Sequence, residues 1–434
     1  IMEKIIKNII IGLLLTSYSI LIFFNANLQV IDDHGILNNL MIGRFFDGYL
    51  SQALFSIGRF YPLNMQEFNL VNLFFTTPDV KFFYALISIE FLILMFVFFR
   101  IFQTLGFNKY FFISMIMLVL LPAFITGIFR LHIGERSVLF FFTIFLFSFL
   151  KFQKEQKWLY ALVGLISANI ALYYKEPAFL MLGSFAFFHL VFGWKELNFK
   201  QKILDLLLMI SALVFITVYF FIVYLHKSDN LYATTTINPI LVFAKNIFNY
   251  GLNDPLLIFI LTPLVIWRIY IIIITRKAHP LFDAMLFASS IYILIFLKLN
   301  MFSQHYLLPS YAFAIPAIVY YVTKEQIYKK IVFKFLGTLT IITIIFSSLP
   351  IGLHLISHYK NVPNNFQKTL SFLTEYIEVE SKNGHRTSIF LDGVNKNGGE
   401  VHHSFIKYLE FRGLKSGQFD IKSDEADNGV IEIA

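Results

Sequence analysis

The feature that most constrains this chain is a succession of apolar stretches, each close to twenty residues long and each set off by a short polar break. A helix crosses the hydrocarbon core of a bilayer in roughly 20 residues. Stretches of that kind stand at 5–28, 80–103, 110–130, 135–152, 158–174, 177–194, 203–225, 255–274, 281–298, 305–322 and 332–357, so about eleven spans are expected. Tyr173-Tyr174-Lys175-Glu176-Pro177 divides the fifth from the sixth, where Pro lacks a backbone donor and suits a helix boundary. The first stretch is too long for the apolar core of a cleaved signal and has no small-residue cleavage site before Asp32, so it reads as a retained span.

Composition agrees. The chain is 57% hydrophobic and 14% charged, against about 45–50% and about 25% in soluble domains. The surplus apolar surface has to face lipid. The 54 Phe and 22 Tyr suit lipid-facing helices with aromatic belts. The net charge of +8 lies between apolar stretches, where it sets topology and does not point to nucleic acid. With no Cys there is no disulfide, thiolate zinc site or thiol nucleophile. A phosphate-binding G-x-x-x-x-G-K-S/T loop is missing, which argues against ATP as an energy source. The chain opens on Ile1, as a fragment or a chain with a processed start does.

Lys and Arg orient the spans. With the N-terminus cytoplasmic, the inner segments hold 14 Lys and Arg in 44 residues and the outer ones 7 in 96. That fourfold difference in density places the C-terminus outside. Carboxylates show the reverse bias: Asp32, Asp33, Glu135 and Glu176 all fall at outer helix ends. Acidic residues contribute little to topology, so this bias points to a site on the extracytoplasmic face.

Two domains are expected. Residues 1–357 form an all-α membrane bundle whose first outer loop, 29–79, is long enough to carry structure, with apolar residues at helical spacing over 36–55. Residues 358–434 turn polar and read as a small soluble α/β module, with helices over 364–380 and 400–413 and strands over 387–391 and 419–422.

Four constellations on the outer face bear ionisable groups. Asp32-Asp33-His34 follows the first span. Adjacent carboxylates raise one another's pKa and suit a general base. One Asp would also serve as a helix cap, but two and a His exceed that need. Arg130-Leu131-His132-Ile133-Gly134-Glu135-Arg136 forms a tight turn whose cations suit a phosphate and whose Glu suits a metal or a sugar hydroxyl; a solvated turn is the plainer reading. Lys175-Glu176 at a helix mouth is either an ion pair or part of a site. His305 enters the tenth span within Gln304-His305-Tyr306-Leu307-Leu308-Pro309, as a ligand or as an interfacial anchor.

In order and sidedness these motifs resemble the GT-C superfamily of integral membrane glycosyltransferases, which includes protein O-mannosyltransferases and aminoarabinose transferases. Val30-Ile31-Asp32-Asp33-His34-Gly35-Ile36-Leu37-Asn38-Asn39 looks like that superfamily's acidic pair in the first outer loop. Glu135 resembles the acidic residue before its fourth span, Lys175-Glu176-Pro177 a recurrent K-E dipeptide, and Tyr306-Leu307-Leu308-Pro309 a late aromatic-L-L-P run in which His305 replaces the usual Arg. The match covers residues 1–357. The resemblance implies a sugar donor on polyprenyl phosphate, an acceptor glycan, lipid or protein, Asp32 as base with Asp33 beside it, and inversion at the anomeric carbon. His34, Arg130, His132, Glu135, Arg136, Lys175, Glu176 and His305 are then the substrate-binding candidates. Some members use a divalent metal and others do not. A flippase for lipid-linked glycans, a surface-polysaccharide polymerase or ligase and a non-catalytic scaffold are the rival readings. The Phe-, Ile-, Lys- and Asn-rich composition has a bacterial character and implies the plasma membrane.

A C-terminal alkaline phosphatase fusion is expected to be active in a bacterial host, and a C-terminal green fluorescent protein fusion dark. The opposite pair of signals would reverse the assigned orientation.

Overall fold

A computed structural model describes residues 2–30, 33, 35–37, 50, 52–75, 79–227, 238–299, 302–391, 400–422 and 431–433. In chain order the helices are α1 (Met2–Phe23), α2 (Gln52–Ser56), α3 (Asn69–Phe74), α4 (Val80–Leu105), α5 (Asn108–Val119), α6 (Pro122–Phe129), α7 (Gly134–Glu155), α8 (Trp158–Tyr174) and α9 (Ala178–Gly193). They continue with α10 (Phe199–Ile222), α11 (Pro239–Asn253), α12 (Thr262–Thr275), α13 (Pro280–Lys298), α14 (Tyr311–Thr323), α15 (Ile331–Thr343), α16 (Leu349–Lys382) and α17 (Glu400–Phe411). Among the described residues, seven helical stretches are long and apolar enough to cross a membrane, or eight if α5 and α6 are one broken span. The protein is a multi-pass helical membrane bundle.

That number differs from the eleven stretches in the sequence. Trp158–Tyr174 and Ala178–Gly193 are apolar helices of 17 and 16 residues, shorter than a full span. The stretch 110–130 is broken by a 70° bend between α5 and α6. Pro122 supplies no N–H to Leu118 and drives Leu121 to extended angles (ψ 140°), which ends α5 and starts α6.

Other ends follow local rules. Asp79 caps α4 by accepting from the Lys81 N–H, and Gly106 closes that helix at φ 76°. Asn198 and Gln201 form a capping box on α10. Asn238 caps α11 ahead of Pro239, so part of the expected outer loop 226–254 is helical. A π-helical turn, Leu256–Leu261, precedes α12, and another, Ile344–Ser348, joins α15 to α16. Helix α16 runs 34 residues through Pro363 and so crosses the point near 357 where the composition turns polar. The polar composition after 357 marks a change of surroundings along one helix.

Buried aromatic rings fill the bundle. Phe142, Phe145, Phe149, Phe185 and Phe313 pack with ring centroids 5.0–6.5 Å apart. Small residues bring α8 close to α7; a Cβ on Gly164 would sit 3.5 Å from the Ser148 Cβ. Beyond the bundle, strands β1 (Thr387–Leu391), β2 (Phe419–Lys422) and β3 (Ile431–Ile433) form a parallel sheet of order β2-β1-β3, with Thr387 opposite Phe419 and Ile389 opposite Ile431. Parallel neighbours need a crossover, and α17 provides it between β1 and β2. Its Phe405, Tyr408 and Leu409 are buried together with Leu370, Leu373 and Ile377 of α16.

Helices approach closely at Gly352, where a Cβ would lie 2.7 Å from the Leu120 carbonyl oxygen and 2.7 Å from Ile125 Cδ1. The α5–α6 bend therefore leans directly on α16. Gly352→Ala should lower the thermal midpoint of the detergent-solubilised protein, at a cost of about 1–3 kcal/mol. Gly337→Ala meets nothing within 4 Å and should not. Equal midpoints for the two variants would rule out close packing at Gly352.

Candidate functional site

The loops at one end of the bundle carry the ionisable groups, and they are organised around the turn between α6 and α7. Arg136, in the first turn of α7, is 1% exposed. Its Nε donates to Glu90 of α4 (3.1 Å) and its Nη2 to Glu67 (3.2 Å). The remaining N–H groups reach the carbonyl oxygens of Arg130 (2.9 Å), Gly127 (3.2 Å) and Leu131 (3.3 Å). Glu67 also accepts from the Tyr174 hydroxyl (3.0 Å) and from Ser137 Oγ (3.3 Å). A guanidinium with this many acceptors has no face left for a substrate phosphate. Arg136 is held as an internal clasp, with Glu67 and Glu90 as its counter-ions.

Glu135, one residue earlier, points elsewhere. It is 1% exposed, pairs with Lys175 Nζ at 3.0 Å and lies 3.8 Å from His305 Nε2. The Ser303 hydroxyl bonds His305 Nδ1 at 2.9 Å. Three of the residues singled out in the sequence, each from a different loop, thus meet around one carboxylate. Glu176 turns to the first loop: its Oε1 accepts from Arg59 Nε (3.0 Å) and from the Phe60 N–H (2.8 Å). Tyr61 lies under both cations, 4.6 Å from the Arg59 guanidinium and 5.8 Å from the Lys175 amine. Tyr306 flanks Lys175 from the other side at 5.7 Å.

Of these groups, Arg59, Lys175, Glu176 and Tyr306 line a cavity of about 230 Å³ together with Tyr219 and the apolar Phe296. Tyr219 of α10 donates to the Gly58 carbonyl (2.9 Å) and holds the Gly58-Arg59 corner over the cavity. Arg59 and Lys175 keep 15% and 17% of their side-chain surface exposed, so both stay accessible to a solute. His132 is bonded by the Asn64 amide at 3.0 Å. Asp33 is buried and its Oδ2 accepts from the Gln29 N–H (2.8 Å). Arg130 stands in the turn whose carbonyls hold Arg136. Asp32, His34 and most of the helix expected over 36–55 lie outside the described residues. Among the described residues, no three Asp, Glu or His side chains converge as metal ligands.

The sequence reading missed Arg59, Tyr61, Glu67 and Tyr219 as parts of this end. A cation in Gly58-Arg59-Phe60-Tyr61 could have drawn notice, because the outer segments hold so few. It also passed over Asp254, which is fully buried ahead of the π-helical turn. Its Oδ1 accepts from the Tyr311 hydroxyl (2.7 Å), and its Oδ2 has no hydrogen-bond partner among the described residues. Burial raises its pKa to about 7, only partly offset by the Tyr311 bond.

Comparison of the chain with protein-family models, with curated proteins and with solved structures finds no match. The functional reading therefore rests on the residues themselves and on their arrangement.

The Asp254 environment sets a pH dependence. The folded pKa lies above the ordinary value of 3.8, so the folded state binds more protons than the unfolded state between about pH 4 and 7. Stability should fall as pH rises through that window and level off above it. Asp254→Asn should flatten this trend in thermal midpoints measured from pH 4 to 8. An unchanged slope would mean that Asp254 is not the group responsible.

Proposed function

We propose that the protein transfers a sugar from a polyprenyl-phosphate donor to an acceptor glycan, lipid or protein at the extracytoplasmic face of the membrane. The observation that carries this reading is a cavity lined by Arg59, Lys175, Glu176, Tyr219 and Tyr306 with Phe296 and Leu299 on its apolar side, its Lys175 paired with Glu135, which also lies beside His305. Such a place suits a molecule with an anionic head and a hydrocarbon tail. The finer topology belongs to the same proposal: eleven membrane-crossing segments, N-terminus cytoplasmic, sheet and α17 outside, in a bacterial plasma membrane.

The reaction is a displacement at the anomeric carbon. The acceptor hydroxyl or amine attacks from the face opposite the phosphate and forms the new glycosidic bond. Asp32 takes the acceptor proton. The bond from the anomeric carbon to the phosphate oxygen breaks, and the oxygen keeps the electron pair. Lys175 and Arg59 stabilise the departing phosphate, with His305 as the third cation of the group when protonated. Glu135 holds Lys175 and His305 in place. Arg136 has no part in this chemistry.

The test uses the purified full chain in lipid nanodiscs, with radiolabelled polyprenyl-phosphate pentoses and hexoses and a membrane extract as acceptor source. Asp32→Asn should lower transfer by about 100-fold or more. Arg59→Ala should raise the donor KM. Sugar transfer that survives Asp32→Asn would reject the assigned base. In proteoliposomes, movement of the intact lipid-linked sugar across the bilayer without release would favour a flippase.

A further inference from the structure

We infer that Asp33 and Tyr408 are positioning residues: between them they clamp the peptide of Gln29, and through it α17 sets the pose of the loop that carries the acidic pair. This rests on the transferase reading for its catalytic consequence, though not for the clamp itself. Gln29 is held on both sides. Its N–H donates to Asp33 Oδ2 at 2.8 Å, and its carbonyl accepts from the Tyr408 hydroxyl, 379 residues further along the chain. Its side-chain amide donates to the Phe129 carbonyl (3.3 Å), which ties the loop to the end of α6. Asp33 also shapes the turn that follows, because its carbonyl accepts from the N–H groups of Ile36 (3.0 Å) and Leu37 (3.3 Å).

The partners of this clamp are rigid. The Tyr408 ring stands edge-on to Phe366 of α16, with centroids 5.1 Å apart, and Phe366 meets Phe405 at 5.7 Å. Tyr408 is 1% exposed. Burial and the nearby Asp33 carboxylate push its pKa far up, so the phenol stays a donor at any physiological pH. Six residues before Phe366 on α16, Lys360 is buried with its amine 5.0 Å over the Tyr84 ring and 5.1 Å over Phe129, and donates to the Ile22 carbonyl (2.6 Å). A cation there satisfies the last turn of α1 and suits its dipole. Tyr84 in turn donates to the Asn27 carbonyl (3.2 Å). The chain from 22 to 29, which leads to the acidic pair, is thus gripped by α4, α6, α16 and α17.

The pair then divides its labour. Asp33 is 2% exposed and spends an oxygen on the Gln29 amide, so it acts through the loop. Asp32 is left as the proposed base.

The test again uses the full chain in nanodiscs. Tyr408→Phe removes one hydroxyl and keeps the ring. It should speed hydrogen exchange of the amides of 26–37 by about tenfold or more, and lower kcat with the donor KM unchanged. Tyr376→Phe, on the exposed flank of α16, should change neither. Asn at 33 can still accept from Gln29, so Asp33→Asn should keep most transfer while Asp33→Ala loses at least tenfold in kcat. Exchange over 26–37 that is unchanged in Tyr408→Phe overturns the clamp. An Asp33→Asn variant as inactive as Asp32→Asn overturns the positioning role. Faster exchange in Tyr408→Phe, in a protein that transfers no sugar even as wild type, supports the clamp and rejects the transferase reading alone.

Discussion

The arrangement of the loop end depends on the burial of one guanidinium. Arg136 is taken almost wholly out of water, which costs several kcal/mol unless the charge is paired and every N–H is satisfied. Glu67 and Glu90 pair it, and the carbonyls of Gly127 at the end of α6 and of Arg130 and Leu131 in the α6–α7 turn take up the rest. That turn consequently has little freedom. Because Glu135 and Arg136 are neighbours on one helix, fixing Arg136 inward fixes the direction of Glu135 as well, toward Lys175 and His305. Glu67 carries the same constraint to the first loop, and Tyr174 carries it to the end of α8.

Further buried ionic clasps tie other parts of the bundle. Arg268 and Asp283 form a doubly hydrogen-bonded pair between α12 and α13, at 2.7 and 2.8 Å. His189 bridges Asp205 of α10 (2.7 Å) and Gln153 of α7 (2.8 Å). Between helices in lipid, apolar contact alone gives little preference for one register, because the tails are as apolar as Leu. A charge in that setting has few acceptable partners. It therefore selects an arrangement even where it adds little net stability.

Much of the bundle was legible because hydrophobic run length is a property of the chain alone. Glu135, Lys175 and His305 lie in three stretches that the charge bias assigns to one face, but their convergence on one carboxylate was not written in the sequence. The direction in which each side chain points was not. Arg130, Arg136 and Lys175 look alike as loop cations, and only the acceptors around them separate an internal clasp from a cavity wall. The α5–α6 bend was signalled by Pro122 but hidden inside an unbroken apolar run. Helix α11 was hidden by its polar residues, although Asn238-Pro239 is a helix-start signal. Its Asn246 amide serves the carbonyls of Leu297 (3.0 Å) and Leu299 (2.6 Å) at the end of α13, so a residue that reads as loop polarity is a helix cap. The unbroken α16 was missed because a shift to polar composition was taken for a boundary, when it reflects the helix leaving its apolar surroundings.

Exposure decides which cations remain for a substrate. Arg136 at 1% is spent on the fold, whereas Arg59 and Lys175 pair with Glu176 and Glu135 and keep 15% and 17% of their side-chain surface exposed. An incoming phosphate near that flank meets a charge that is already desolvated on its protein side. The attraction there is stronger than at a fully hydrated lysine, since the effective dielectric is lower. It does not have to break the existing pair, because Tyr61 and Tyr306 stabilise Lys175 on its other faces. An unpaired lysine there would leave the empty cavity with an uncompensated charge, and one as enclosed as Arg136 would be closed to ligand. The pairing of Lys175 with Glu135 avoids both extremes and holds the amine in position before the proposed donor arrives.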